Sequence, residues 1–137
     1  QSMLDALTAM DVVGAIYPRH IGSASIAIRA AAARRPVLAH HFGWLGEIVP
    51  RFDLGWTCDA TNPLELQQAI AISLRRAADF HPSEAAERFV AFHSIENFRA
   101  HWTAEIRRHL NLQQSPDLRT WQWANGSEAT ASFESVR

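Results

Sequence analysis

An α/β fold with a partial, Rossmann-like parallel sheet of about three strands flanked by helices is what this sequence predicts, and three observations lead there. Two short apolar runs, Asp11-Val12-Val13-Gly14-Ala15-Ile16-Tyr17 and Pro36-Val37-Leu38-Ala39, have the β-branched character of strands buried on both faces. Between them, Gly22 to Arg35 is long enough for about three to four helical turns, and its run from Ala30 to Ala33 favours a helix whose backbone lies close to a sheet. A third run, Gly55 to Cys58, follows a short helical stretch at Glu47 to Arg51 and completes the pattern.

A β-α-β crossover makes its strands parallel, so their carboxyl ends emerge at one edge of the sheet. The loops Tyr17 to Ser25 and His40 to Glu47 therefore meet there, beside the crevice where open α/β sheets bind ligands. Gly22 and Ser23 fall at the expected helix start, where unpaired N–H groups and the positive end of the macrodipole favour an anion such as phosphate. Arg19 and His20, in the same loop, could donate to a diphosphate. Arg29 lies four residues after Ser25 and shares its helical face, which sends the guanidinium toward the crevice mouth or along the helix flank. His40 and His41, read with strand geometry, point to opposite faces and are not expected to share a metal.

The remaining elements follow from local signals. Ser2 to Met10 reads as a helix with Leu4, Leu7 and Met10 on its apolar face. Asn62-Pro63-Leu64-Glu65 is a strong helix start, with Asn62 as cap, Pro63 first and Glu65 reaching back. Leu66, Ala69, Ile70, Ile72 and Ser73 supply its buried face through about Ala78. After His81-Pro82, Ser83 caps a helix carrying Ala86, Phe89, Val90 and Phe92; beyond His93-Ser94, Ile95, Phe98, Trp102, Ile106 and Leu110 recur at helical spacing. From Asn111 the composition turns polar and aperiodic, with Trp121 and Trp123 as the only large anchors. Residues 1–110 are accordingly expected to form the domain and 111–137 a disordered tail. Three strand-like runs fall short of the usual four to six or so of a sheet, so the chain reads as a fragment of a larger one.

Composition narrows the chemistry. A formal net charge of −1 gives no electrostatic argument for nucleic acid. One cysteine excludes an internal disulfide and suits a reducing compartment. No apolar run approaches about 20 residues and no leader opens the sequence shown, which points to a cytoplasmic setting. There is no H-E-x-x-H, paired-cysteine, G-x-S-x-G or G-x-x-x-x-G-K-[ST] pattern, so zinc-hydrolase, nucleophile-elbow and P-loop chemistries fall away and no metal is expected.

The order of elements resembles a known family. Strand, Pro18, short loop, Gly22, small-residue helix and Pro36-Val37 strand are followed by Phe42-Gly43-Trp44-Leu45-Gly46-Glu47-Ile48-Val49, then Leu54-Gly55-Trp56-Thr57 and Asp59-Ala60-Thr61-Asn62-Pro63. From about Leu4 to Leu110 this resembles the donor-binding, carboxyl-terminal domain of retaining glycosyltransferases with two Rossmann-like domains, the GT-B fold of the group 1 type. The resemblance implies a nucleotide-sugar donor as substrate, no metal or other cofactor, and transfer of a glycosyl group to an acceptor held by a missing amino-terminal domain. It also leaves room for peripheral membrane association of the whole enzyme. It places the donor against Arg19, His20, Gly22, Ser23, Ser25, Arg29, Gly43, Trp44 and Glu47, and assigns no catalytic residue. Gly43 and Trp44 fall on the family's Gly-Gly turn, with Trp44 in place of the second glycine. Glu47 matches the glutamate that commonly meets the donor ribose or caps the turn, and it opens the expected Glu47 to Arg51 helix. The family's paired glutamates, however, fall on Ile21 and Arg29, and the glycine before its Pro-Val strand on Arg34. A degenerate, non-catalytic binding or interaction module of the same fold is the alternative.

Overall fold

The computed structural model describes residues 2–112 and 118–127. The chain divides into two compact units, Gln1–Glu87 and Arg88–Arg137.

The first unit is the α/β layer expected from the sequence. Helix α1 (Met3–Thr8) opens on a capping box in which Ser2 and Asp5 exchange hydrogen bonds, so it starts as expected but stops two residues before Met10. Strands β1 (Val13–Ala15), β2 (Val37–His40) and β3 (Gly55–Cys58) form a parallel sheet in the order β1-β2-β3. Val13 stands beside Val37, and Val37 beside Gly55. All four residues of the central strand are buried, whereas β1 alternates and exposes Gly14. The expectation of burial on both faces thus holds for β2 and is corrected for β1, which lies at the sheet margin and covers one face only.

Helix α2 (Ser25–Ala32) crosses from β1 to β2, and α3 (Gly43–Arg51) crosses from β2 to β3. Ala27 and Ala30 are fully buried, which is how a small-residue helix brings its backbone against a sheet. Leu45, Ile48, Val49, Phe52 and Leu54 fill the space around α3, each 1 % exposed or less. Helix α4 (Pro63–Arg76) packs on β2 and β3, with Asn62 accepting from the Leu64 and Glu65 amides as anticipated. Its expected buried face is narrower: Ser73 is buried, but Ile70 and Ile72 are 40 % and 42 % exposed. A single 3₁₀ turn, Ala77–Asp79, ends it.

Two helices end on a left-handed residue other than glycine. Arg34 follows α2 with φ 58°, the Arg35 amide donating to Ala30 and the Arg34 amide to Ala31. This is a Schellman motif, whose left-handed residue is usually glycine. Arg34 therefore adopts a backbone conformation that glycine usually supplies. Asp53, φ 52°, ends α3 in the same way.

The unit boundary falls inside α5 (Glu84–Phe92), and Ser83 accepts from the Ala86 amide at its start. In the second unit, α6 (Ile95–His109) begins on Ser94, which accepts from the Asn97 amide. A further helix, α7 (Trp121–Ala124), lies within the stretch expected to be tail, capped by Thr120. Trp121 sits edge-on to Phe92, 5.3 Å between centroids, and His93 packs 4.3 Å from Phe89 while bonded to the Phe89 carbonyl. Burial holds the His93 imidazole below its ordinary pKa against the opposing effect of that carbonyl. The two tryptophans are what convert a polar stretch into an ordered turn. Positions 113–117 and 128–137 of the expected tail lie outside the described residues.

Candidate functional site

The carboxyl edge of the sheet gathers three loops, leaving Ala15, His40 and Cys58. The first two touch through backbone. The Trp44 amide donates to the Ile21 carbonyl at 3.3 Å, and a Cβ placed on Gly43, whose φ is 68°, would run into the His20 carbonyl. Only a residue without a side chain lets these loops come so close. Gly46 repeats the arrangement further along the helix, its open side filled by the His41 backbone. The glycines of this motif thus bring protein backbone against protein backbone.

Two clefts open on the first loop. One, of about 330 Å³, is lined by Tyr17, His20, Ser23, Ala24, Ser25 and Ile26. The other, broader and shallower at about 540 Å³, is bounded by Ile16, Tyr17, Pro18, Arg19 and His20. Tyr17 and His20 form the shared wall: the His20 ring stands edge-on to Tyr17 at 5.8 Å, and its Nε2 lies 3.3 Å from the Ser23 carbonyl. Helix α2 begins beneath the smaller cleft at Ser25, three residues later than expected. Its cap is Ala24, in extended conformation and without a side-chain oxygen. Gly22 and Ser23 are therefore loop residues, and the first-turn amides that could meet an anion are those of Ser25 and Ile26.

The remaining candidates separate. Arg29 lies along the helix flank, its guanidinium 2.9 Å from the Met3 sulfur of α1. Glu47 does not open a helix: α3 starts at Gly43, so Glu47 is its fifth residue, exposed and paired with Arg51 at 2.9 Å. Gly43 and Gly46 face backbone on the side where other residues carry Cβ, a contact invisible to propensity. Trp44 is half-buried in the first turn of α3 and lines neither cleft.

A feature missed by the alternation rule lies beside these loops. His40 and His41 do not diverge, because β2 ends at His40 and the chain bends at His41; their rings are 4.7 Å apart. With Asp59 they offer ligand atoms within 4.8 Å of one another. The hydrogen bonds assign the group a different task. His40 is buried, and its Nδ1 accepts the Ala60 amide at 3.0 Å, so the neutral ring carries its proton on Nε2 and presents no second lone pair to a cation. Asp59 Oδ1, 3.9 Å from that Nδ1, accepts from both the amide and the hydroxyl of Thr61, which hold the carboxyl below its ordinary pKa. Glu65 reaches back to the Asp59 amide rather than to its own cap. Cys58, buried beneath and facing the Glu65 and Asp59 charges, has its thiol pushed up and away from reactivity. The group ties the end of β3 to that of β2.

No family model, curated protein or solved structure matches the chain. Among the described residues no helix is long and apolar enough to cross a membrane.

Proposed function

We propose that the first unit is the donor-binding segment of a nucleotide-sugar-dependent glycosyltransferase, holding the donor diphosphate at the carboxyl edge of its sheet. The observation that carries the reading is the junction of the two loops: Trp44 donates to Ile21, and Gly43 abuts His20, beside a cleft that ends on the uncapped start of α2. Amides of Ser25 and Ile26 with the His20 ring, and Arg19 in the adjoining cleft, make a surface suited to spread negative charge. A leaving diphosphate is the group that gains most there. The acceptor, and the groups that act on the sugar, would come from outside this segment.

One observation favours a second reading, a non-catalytic binding module. Ile21, where the family carries its first glutamate, is 73 % exposed, Arg29 replaces the second, and Glu47 is committed to Arg51. Among the described residues, no carboxylate then lines the cleft. The two readings share the diphosphate and differ in turnover.

Calorimetric titration of the chain with UDP, GDP and ADP tests both. At least one is expected to bind with Kd of about 0.1–1 mM, its nucleoside about tenfold more weakly, and Arg19→Ala to cost about tenfold. Arg29→Ala and Glu47→Ala should leave the affinity unchanged. Equal affinity for nucleoside and diphosphate, or no heat with any of the three, would contradict the proposal.

A further inference from the structure

A separate cavity, of about 380 Å³, opens within the first unit at the amino edge of the sheet, the end opposite the candidate site. The topology assembles it. Helix α4 leaves the carboxyl edge after β3 and runs back along the sheet for 14 residues, a rise of about 21 Å. Its last residue, Arg76, and the turn that follows therefore arrive where β3 begins. Asp53 and Trp56 on one side, and Arg76, Asp79, Phe80 and His81 on the other, line a single space. Trp56 and Phe80 are half-buried, their rings 6.2 Å apart and tilted by 59°, and they form an apolar wall. The Arg76 guanidinium stands over the Trp56 ring, 6.0 Å from its centroid.

The protein leaves the polar side chains of this cavity unengaged. Among the described residues, Asp53, Asp79 and His81 make no side-chain hydrogen bond or ion pair, and Arg76 makes only its ring contact. By contrast, Asp5 accepts from the Ser2 amide, Glu47 pairs with Arg51, Asp59 accepts from Thr61 and Glu65 from the Asp59 amide. Opposite charges that stand around an open space without closing on one another keep their hydrogen-bonding capacity for a guest. The make-up of the wall selects that guest. An anion would meet two carboxylates, and an organic cation would find the Trp56 face already covered by Arg76. A neutral ring with an apolar face and several hydroxyls suits every group: its C–H face packs on Trp56 and Phe80, while its hydroxyls donate to Asp53 and Asp79 and accept from Arg76. The volume lies at the small end of ligand sites, which span about 300–1,000 Å³ and set a few polar groups in an aromatic lining. We infer that this cavity is a saccharide-binding site that takes a neutral mono- or disaccharide unit. It needs nothing from the diphosphate cleft at the other edge of the sheet.

The Trp56 indole N–H of the ¹⁵N-labelled full chain reads occupancy as maltose, lactose, mannobiose and chitobiose are each titrated to about 20 mM. At least one should move that signal and saturate it, with Kd of about 0.5–5 mM. Both carboxylates are exposed, so they can be changed without disturbing the core. Asp79→Ala, with an unchanged circular dichroism spectrum, should weaken binding about tenfold. Asp53 has φ 52°, a conformation asparagine tolerates, and Asp53→Asn should cost about threefold. Sodium phosphate and tetramethylammonium chloride at the same concentration should leave the Trp56 signal where it is. A Trp56 indole unmoved by all four disaccharides would overturn the proposal. So would an affinity indifferent to Asp79→Ala, or a response to phosphate or tetramethylammonium in place of the sugars.

Discussion

Gly46→Ala is expected to destabilise the first unit by about 2–4 kcal/mol, although helix propensity alone predicts a gain of about 1 kcal/mol. Gly46 is a helical residue of α3, where alanine is ordinarily preferred. The new Cβ, however, would occupy the place of the His41 carbonyl, and both sides of that contact are backbone. Neither can rotate away as a side chain would, so α3 must shift from the end of β2. Urea denaturation followed by far-ultraviolet circular dichroism measures the loss. Gly14→Ala is the control, since a Cβ there meets nothing nearer than the Ile16 side chain at 4.0 Å; it should change stability by less than about 1 kcal/mol. Equal effects at the two positions would show that the α3 contact is not tight.

Asn97→Ala carries the second large effect, about 2–4 kcal/mol on the second unit. Its amide nitrogen donates to the Phe92 carbonyl at 2.8 Å and the Arg119 carbonyl at 3.0 Å, and its Oδ1 accepts from the Arg119 amide at 3.1 Å. The residue is 4 % exposed, so truncation leaves buried backbone groups without these partners, and their desolvation is not recovered. Asn97→Asp should be no milder, because a carboxylate would face two carbonyl oxygens. Hydrogen exchange at the Arg119 amide reads the effect directly: protection in the wild type should be lost in both variants. Retained protection would remove Asn97 as the tie between α6 and the segment entering α7.

What the sequence disclosed and what it hid follow one physical line. Local signals were legible: the Asn62 cap, the Ser83 and Ser94 starts, the limits of β3 at Gly55–Cys58 and the alanine face of α2 all depend on neighbours a few residues apart. The apolar stripe of α6, exposed at Phe98 and Trp102, was likewise readable from its period. The hidden features depend on contacts between distant residues. Gly43 and Gly46 look like a ligand turn until the backbones of His20 and His41 are found against them. Asn97 looks like a surface polar residue until Arg119 folds back on it. His40 and His41 obey strand alternation only as long as the strand lasts, and it lasts one residue too few. At the candidate site, His20, Ser23 and Ser25 line one cleft because one loop carries them all, with Arg19 on the neighbouring one. Arg29 was assigned by its helical spacing from Ser25 and Glu47 by motif position, and their partners are Met3 and Arg51.

Diphosphate binding at the carboxyl edge is tested most directly by a map of amide chemical-shift changes as a nucleoside diphosphate is titrated into ¹⁵N-labelled chain. The largest shifts are expected at Ser25 and Ile26, with smaller ones at His20, Gly22, Ser23 and Trp44, and none at Arg29 or Glu47. Shifts confined to α4 and the second unit, with Ser25 and Ile26 unmoved at saturation, would contradict it.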